Sequence, residues 1–330
     1  MNPFRYTGRG GERSPATTRI SRRFELEDPA GYRPGQGLVD AVNVALLLER
    51  PLLLTGEPGT GKTQLAFSLA WELGLGEPLK FETKSTSVAR DLFYSFDALS
   101  RLHAVHSQLP TDPRLYITYN ALGVAILRAQ EEEEVAPYLP PDFFHGGKRP
   151  SVVLIDEMDK APTDFPNDLL NELEHVYFRI PELHGVRIAL GDPEVRPIVV
   201  ITSNSEKDLP DAFLRRCVYY DIPFPKDEDL EELVARRLER YDLRGNRFLT
   251  DALSLFRELR LPRSGLQDRP ATAELLDWVI ALRERAQGEK NPLAMGPEPI
   301  LATFGTLVKR LEDRPKAEKV LNEWIASRKK

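Results

Sequence analysis

Residues 56–63 read Gly56-Glu57-Pro58-Gly59-Thr60-Gly61-Lys62-Thr63, directly behind the apolar run Pro51-Leu52-Leu53-Leu54. The run predicts a buried parallel strand, and Gln64–Ala70 predicts a helix with one apolar face. A glycine-rich turn ending in Gly-Lys-Thr and fixed between such a strand and such a helix is the phosphate-binding loop pattern. It requires a parallel sheet with helical crossovers, and it implies a ligand. Backbone N–H groups of the turn and of the helix start converge on a concave anion site. Lys62 places a point charge beside the β- and γ-phosphate oxygens, and the Thr63 hydroxyl can hold Mg²⁺. Gly56 to Thr63, with Gln64 at the helix start, are the candidate nucleotide-binding residues.

The rest of the chain is compatible with that demand. At 330 residues it is long enough for two domains, and 41% hydrophobic with 29% charged residues is ordinary for a globular protein. The sequence shows no apolar stretch long enough to span a bilayer and no apolar signal core, so a cytoplasmic location is expected. The single cysteine, Cys217, excludes an intrachain disulfide and a cysteine-based zinc site. A net charge of −6 argues against a protein that coats nucleic acid. His103-x-x-His106 is the one histidine pair with metal spacing, and it lacks a third ligand.

Residues 1–23 are rich in Arg, Gly and Ser and read as a disordered basic arm. A helix is expected over Leu38–Leu48. Strands are expected at about 51–55, 80–83, 151–155, 197–202 and 218–222, with helices between them, which predicts a five-stranded parallel αβα sandwich. Strand-like runs stop beyond Pro223-Phe224-Pro225. Helices are expected at about 227–241, 248–259, 270–287, 298–312 and 316–328. We therefore place an α/β domain at 24–225 and a small α-helical lid at 226–330.

A second motif completes the chemistry. Val152-Val153-Leu154-Ile155-Asp156-Glu157 is an apolar strand ending in two acids. Burying a carboxylate is costly unless something pairs it, and Mg²⁺ beside a phosphate loop is the natural partner. Asp156 is expected to hold the metal with Thr63, and Glu157 to polarise the attacking water.

On these two motifs the chain resembles the AAA+ ATPases. The resemblance implies ATP and ADP as ligands, Mg²⁺ as cofactor and a homohexameric ring. Asn204, ending Ile201-Thr202-Ser203-Asn204, resembles the sensor-1 position. Leu209–Arg216 resembles the arginine-finger segment, in which Arg215 or Arg216 would reach a neighbouring subunit's γ-phosphate; phase relative to the following strand favours Arg216. Arg269 resembles sensor-2, with Arg263 as a competing candidate. Gly35-Gln36-Gly37-Leu38 resembles the segment that clasps adenine.

Lys62 and Asp156 are further apart than a minimal phosphate-loop layout needs, and the excess falls at about 91–138. Leu92–Leu99 reads as a short hairpin or helix there, and Tyr116–Gln130 as a helix. A β-hairpin is expected over 176–190, around Pro181–Gly185. Both features, with Asp156–Pro162 and Asn171–Glu174, look like the MoxR-like branch, related to McrB-like proteins. That resemblance implies ATP-driven remodelling of a protein client, in some systems one with a von Willebrand A domain. The alternatives are a nucleic-acid motor of McrB type and a slowly hydrolysing nucleotide-gated scaffold. The sparse basic set Arg101, His103 and His106 makes nucleic acid the less favoured partner.

Overall fold

The computed structural model describes residues 29–204, 209–238, 241–285 and 291–328. The basic arm expected at 1–23 lies outside the described residues. Five strands, β1 (Leu52–Thr55), β2 (Leu79–Glu82), β5 (Val152–Asp156), β8 (Ile198–Thr202) and β9 (Val218–Asp221), form one sheet in the order β2-β5-β8-β1-β9. Every neighbouring pair is parallel. Each strand lies within a residue of its expected place; the inner strands β1, β5 and β8 are short continuous apolar runs, as burial on both faces requires, while the edge strands β2 and β9 alternate half-buried and exposed residues.

Alternation divides that run between two cores. Leu53, Val153, Ile155 and Ile201 enter the core on one face, and Leu52, Leu54, Leu154 and Val200 the core on the other. Helices α1 (Gln36–Leu48) and α2 (Lys62–Glu72) contribute Leu38, Val42, Leu65 and Leu69 to the second core.

The segment between β2 and β5 departs from expectation. Tyr116–Gln130 is not a single helix. Strand β4 (Ile117–Tyr119) pairs antiparallel with β3 (Tyr94–Phe96), and helix α3 (Ala98–His106) connects them. The helix α4 (Ala121–Arg128) begins only after Asn120, and the short α5 (Glu132–Val135) follows it. Ile117-Thr118-Tyr119 carries β-branched and aromatic side chains, and the pairing edge of β3 outweighs any local helical tendency. Asn120 fixes the change of direction: its backbone N–H donates to Phe93 O at 2.8 Å and its side chain to Asp91 O at 2.7 Å. Gly123 follows in α4, where an added Cβ would lie 1.9 Å from Phe93 O. Only glycine admits that approach.

The hairpin is present as β6 (Tyr177–Ile180) and β7 (Val186–Ala189), antiparallel. Phe178 of β6 stacks on Phe93 at 5.4 Å and meets Tyr119 edge-on at 6.1 Å. Tyr94 donates its hydroxyl to Glu182 at 2.8 Å. The small β3–β4 sheet and the hairpin are thus one packed body. Residues 165–175 form two short helices, α6 (Phe165–Asp168) and α7 (Leu170–His175), separated at Leu169.

By compactness the described residues divide in two. One unit is Pro29–Gly56 with Gly61–Pro223, and the other is Glu57–Thr60 with the residues from Phe224 onward. The second is helical, with α9 (Asp227–Arg237), α10 (Arg247–Arg260), α11 (Thr272–Arg285), α12 (Pro297–Thr303) and α13 (Arg314–Ser327) around buried Trp278, Phe248, Phe256 and Phe304. The helix expected over 298–312 ends at Thr303 and gives way to short turns up to Asp313. Asp313 is fully buried, and its carboxylate accepts the backbone N–H groups of Gln267 and Asp268 at 3.0 Å and the Lys316 ammonium at 3.0 Å.

Candidate active site

The loop from Gly56 to Gly61 turns sharply at the carboxyl end of β1, with Gly59 at φ 77° and Gly61 at φ 90°. Gly61 has a second constraint, since a Cβ there would come within 2.9 Å of the Tyr32 ring. At the tip, the Thr60 hydroxyl donates to Glu57 O at 2.9 Å. Lys62 is buried and its Nζ donates to Gly56 O at 2.7 Å, across the mouth of the loop. Burial lowers the Lys62 pKa, and Asp159, Asp156, Asp221 and Glu157 partly oppose that. The cation faces acids at the carboxyl edge of the sheet.

Asp156 is the centre of this edge. Its Oδ1 accepts the Thr63 hydroxyl at 2.9 Å and the Thr202 hydroxyl at 2.6 Å, and its Oδ2 lies 3.1 Å from Lys80 Nζ. Burial alone would raise its pKa. The hydrogen bonds from Thr202, Lys80 and Thr63 outweigh that and hold the carboxyl below its usual range. The Thr63 hydroxyl and the Asp156 carboxylate are hard oxygens on one spot. This suits Mg²⁺, which takes one or two protein oxygens and fills its shell with water and phosphate oxygens.

Glu157 sits next in chain with φ 57°, a left-handed conformation that a non-glycine residue adopts at some cost. Its backbone N–H donates to the Thr202 hydroxyl at 2.9 Å and its carboxylate pairs with Lys160. One hydroxyl, that of Thr202, therefore fixes both acids. Asn204 is exposed and tied to Asp159, with its backbone N–H 3.0 Å and its amide 3.3 Å from the carboxylate. Among the sequence candidates, the structure brings together Lys62, Thr63, Asp156 and Glu157. Sequence reasoning missed Thr202, Lys80 and Asp159. The signal for Thr202 was a polar residue closing the apolar run Ile198–Ile201.

The two candidate fingers follow α8 (Asp211–Leu214). Arg215 is exposed, while Arg216 pairs with Glu174 of α7 at 3.1 Å and donates to Ala212 O at 3.0 Å. In the helical unit, Arg269 is exposed in the loop before α11, and Arg263 pairs with Glu258 at 2.6 Å. Within that unit, Arg260 lies over the Phe224 ring at 3.4 Å and donates to Glu57 at 2.7 Å; the sequence reading had not singled it out. Among the described residues, no group of three or more His, Cys, Asp or Glu side chains could hold a metal ion, so His103 and His106 gain no third ligand.

A phosphate loop behind a central strand of a parallel sheet, with an acid pair closing β5 and a lysine facing it, defines a P-loop nucleotide-binding α/β protein. The profile of the ATPase family associated with various cellular activities (AAA) matches residues 52–225, and the chain belongs to that family. Among solved structures, a RuvB variant from Thermotoga maritima aligns at a TM-score of 0.44 and 15% identity, over 82% of this chain and 68% of that one. No curated protein matches the chain. Among the described residues, no helix is long and apolar enough to cross a membrane.

Proposed function

We propose that the chain is a Mg²⁺-dependent ATPase that remodels a protein client, in the manner of the MoxR-like branch. Family membership implies ATP-driven activity. Lys62 and the loop N–H groups bind and orient the β- and γ-phosphates. Thr63 and Asp156 hold Mg²⁺, which supplies charge neutralisation for the transferring phosphoryl group. Glu157, placed by Thr202, orients and deprotonates the attacking water. Asn204 lines up that water, and Arg269 or Arg263 contacts the nucleotide. Arg215 or Arg216 acts on a neighbouring subunit of a hexameric ring; if Arg216 is that finger, its pair with Glu174 in the single chain opens on assembly.

The observation that favours a protein client is the surface of α3. Leu99 is 77% exposed, Leu102 55% and Val105 54%, on an insertion element packed to the hairpin as one body. A nucleic-acid channel would present arginines and lysines instead. The test measures ATP turnover with an unfolded protein, duplex DNA and single-stranded RNA added in turn. Stimulation by the protein, lost in Leu99→Asp/Leu102→Asp, is expected; stimulation by a nucleic acid alone would replace this reading with the motor. In mixed rings, Arg216→Ala and Glu157→Gln subunits should partly restore turnover, and complete failure to do so argues against a finger in trans.

A further inference from the structure

The tip of the phosphate loop packs with the helical unit. Glu57–Thr60 belong to that unit, whereas Gly56 and Gly61 on either side belong to the other. The four residues close a turn, with the Thr60 backbone N–H and hydroxyl both donating to Glu57 O, at 3.4 and 2.9 Å. Gly59 faces the start of α11. A Cβ at Gly59 would lie 3.1 Å from the Ala273 backbone nitrogen and 3.3 Å from the Ala271 Cβ. Both are closer than ordinary van der Waals contact, so glycine lets the loop approach this helix start.

Arg260, the last residue of α10, holds both sides of that approach. Its Nη1 donates to Pro270 O at 2.7 Å, directly ahead of Ala271, and its Nη2 to the Glu57 carboxylate at 2.7 Å. Its guanidinium carbon lies 3.4 Å from the centre of the Phe224 ring. The Arg260 side chain is only 13% exposed, against 47% for Glu57. An exposed ion pair ordinarily contributes little, because two long side chains must be ordered in water. Here the ring and the Pro270 carbonyl fix the guanidinium, so only the glutamate loses freedom on pairing. A lysine lacks the planar fork that reaches Pro270 and Glu57 together. Loop N–H groups bind a phosphate well only when they are aimed at one point beforehand.

We propose, resting on the ATP-binding reading of the loop, that Arg260 is a positioning residue for the nucleotide site. Through Glu57 it anchors the loop tip beside α11, so that the loop amides are aimed before the nucleotide arrives. Arg269 and Arg263 are candidates for touching the nucleotide; Arg260 acts through Glu57 and needs no contact with it.

Two quantities test this in the full chain: hydrogen exchange of the Gly59 and Thr60 amides without nucleotide, and ATP affinity by calorimetry. Glu57→Gln keeps the size of the side chain and removes its charge. It should raise both the exchange rate and the ATP Kd by about fivefold, the upper end of the range for a partly exposed ion pair, with the thermal midpoint unchanged. Arg260→Lys should reproduce both changes and also lower the thermal midpoint, because it frees Pro270 O. The double variant should bind ATP no more weakly than the weaker single variant, since both substitutions remove one interaction. If Arg260→Lys does not fold, Glu57→Gln carries the test. Unchanged loop exchange or ATP affinity in Glu57→Gln, or additive losses of affinity in the double variant, overturns the proposal. A wild-type chain that binds no ATP, while the variants lose loop protection, supports the anchor and overturns the ATP-binding reading instead.

Discussion

Two of the aspartates buried among the described residues, Asp313 and Asp156, lie in different compact units and are held in different ways. Asp313 of the helical unit is fully buried and takes two backbone N–H groups, which are fixed in place, with Lys316 beside them. Asp156 of the α/β unit is 6% exposed and takes two hydroxyls and a lysine, all on side chains that can rotate. Both carboxyls are held below their usual range. A carboxylate closed by main-chain donors stitches loops together. One closed by side-chain donors at the end of a strand can exchange a donor for a metal and its water. The identity of the donors, more than burial or charge, separates a structural acid from the proposed functional one.

The sharpest way to break this comparison is Asp156→Asn. Hydrolysis should fall by about a hundredfold or more, as expected when Mg²⁺ positioning is lost, with the thermal midpoint little changed. A large loss of folding and an unchanged turnover would make Asp156 a second Asp313. Lys62→Ala should weaken ATP by about tenfold to a hundredfold in equilibrium binding, the range of a hydrogen bond to a charged group. Retained affinity would detach the loop from the acid edge it faces. Thr202→Val removes the hydroxyl shared by Asp156 and the Glu157 N–H. It should cost about 1–3 kcal/mol in denaturant unfolding and slow turnover as well; an effect on stability alone would place Thr202 outside the mechanism.

The smallest effect concerns pH. The backbone N–H groups of Gln267 and Asp268, assisted by Lys316, outweigh burial and hold Asp313 at about 2. A depressed carboxyl contributes stability that is fully present above its unfolded value, about 4, and is lost as pH falls towards 2. Asp313→Asn keeps one acceptor oxygen but does not titrate, so it should flatten the unfolding curve in that window. An unchanged acid limb would show that the backbone cage is not what stabilises the anion. Cys217 gives a simple check on burial beside Arg216. Its thiol is pushed up to about 12 by burial, so iodoacetamide at neutral pH should label it slowly until the protein unfolds.

The parts that could be read in advance share a physical origin. A strand buried on both faces has to be a continuous apolar run, and a phosphate loop has to be glycine-rich and end in Lys-Thr, so β1, β5, β8 and the loop were visible locally. Tyr116–Gln130 was misread because Ile117–Tyr119 becomes a strand only when Tyr94–Phe96 is brought alongside it. Thr202 was passed over for Asn204, because a lone polar residue at a strand end gives no sign of which acid it will meet.

The sequence by itself therefore determined the fold class, the phosphate loop and the acid pair, each specified by residues close together in the chain. The tertiary structure decided what lies between distant segments. It placed Thr202 between Asp156 and the backbone of Glu157 and joined the inserted sheet to the hairpin through Phe178. Those outcomes depend on which strand ends become neighbours, and the order β2-β5-β8-β1-β9 is a property of the packed sheet that short stretches of sequence do not carry.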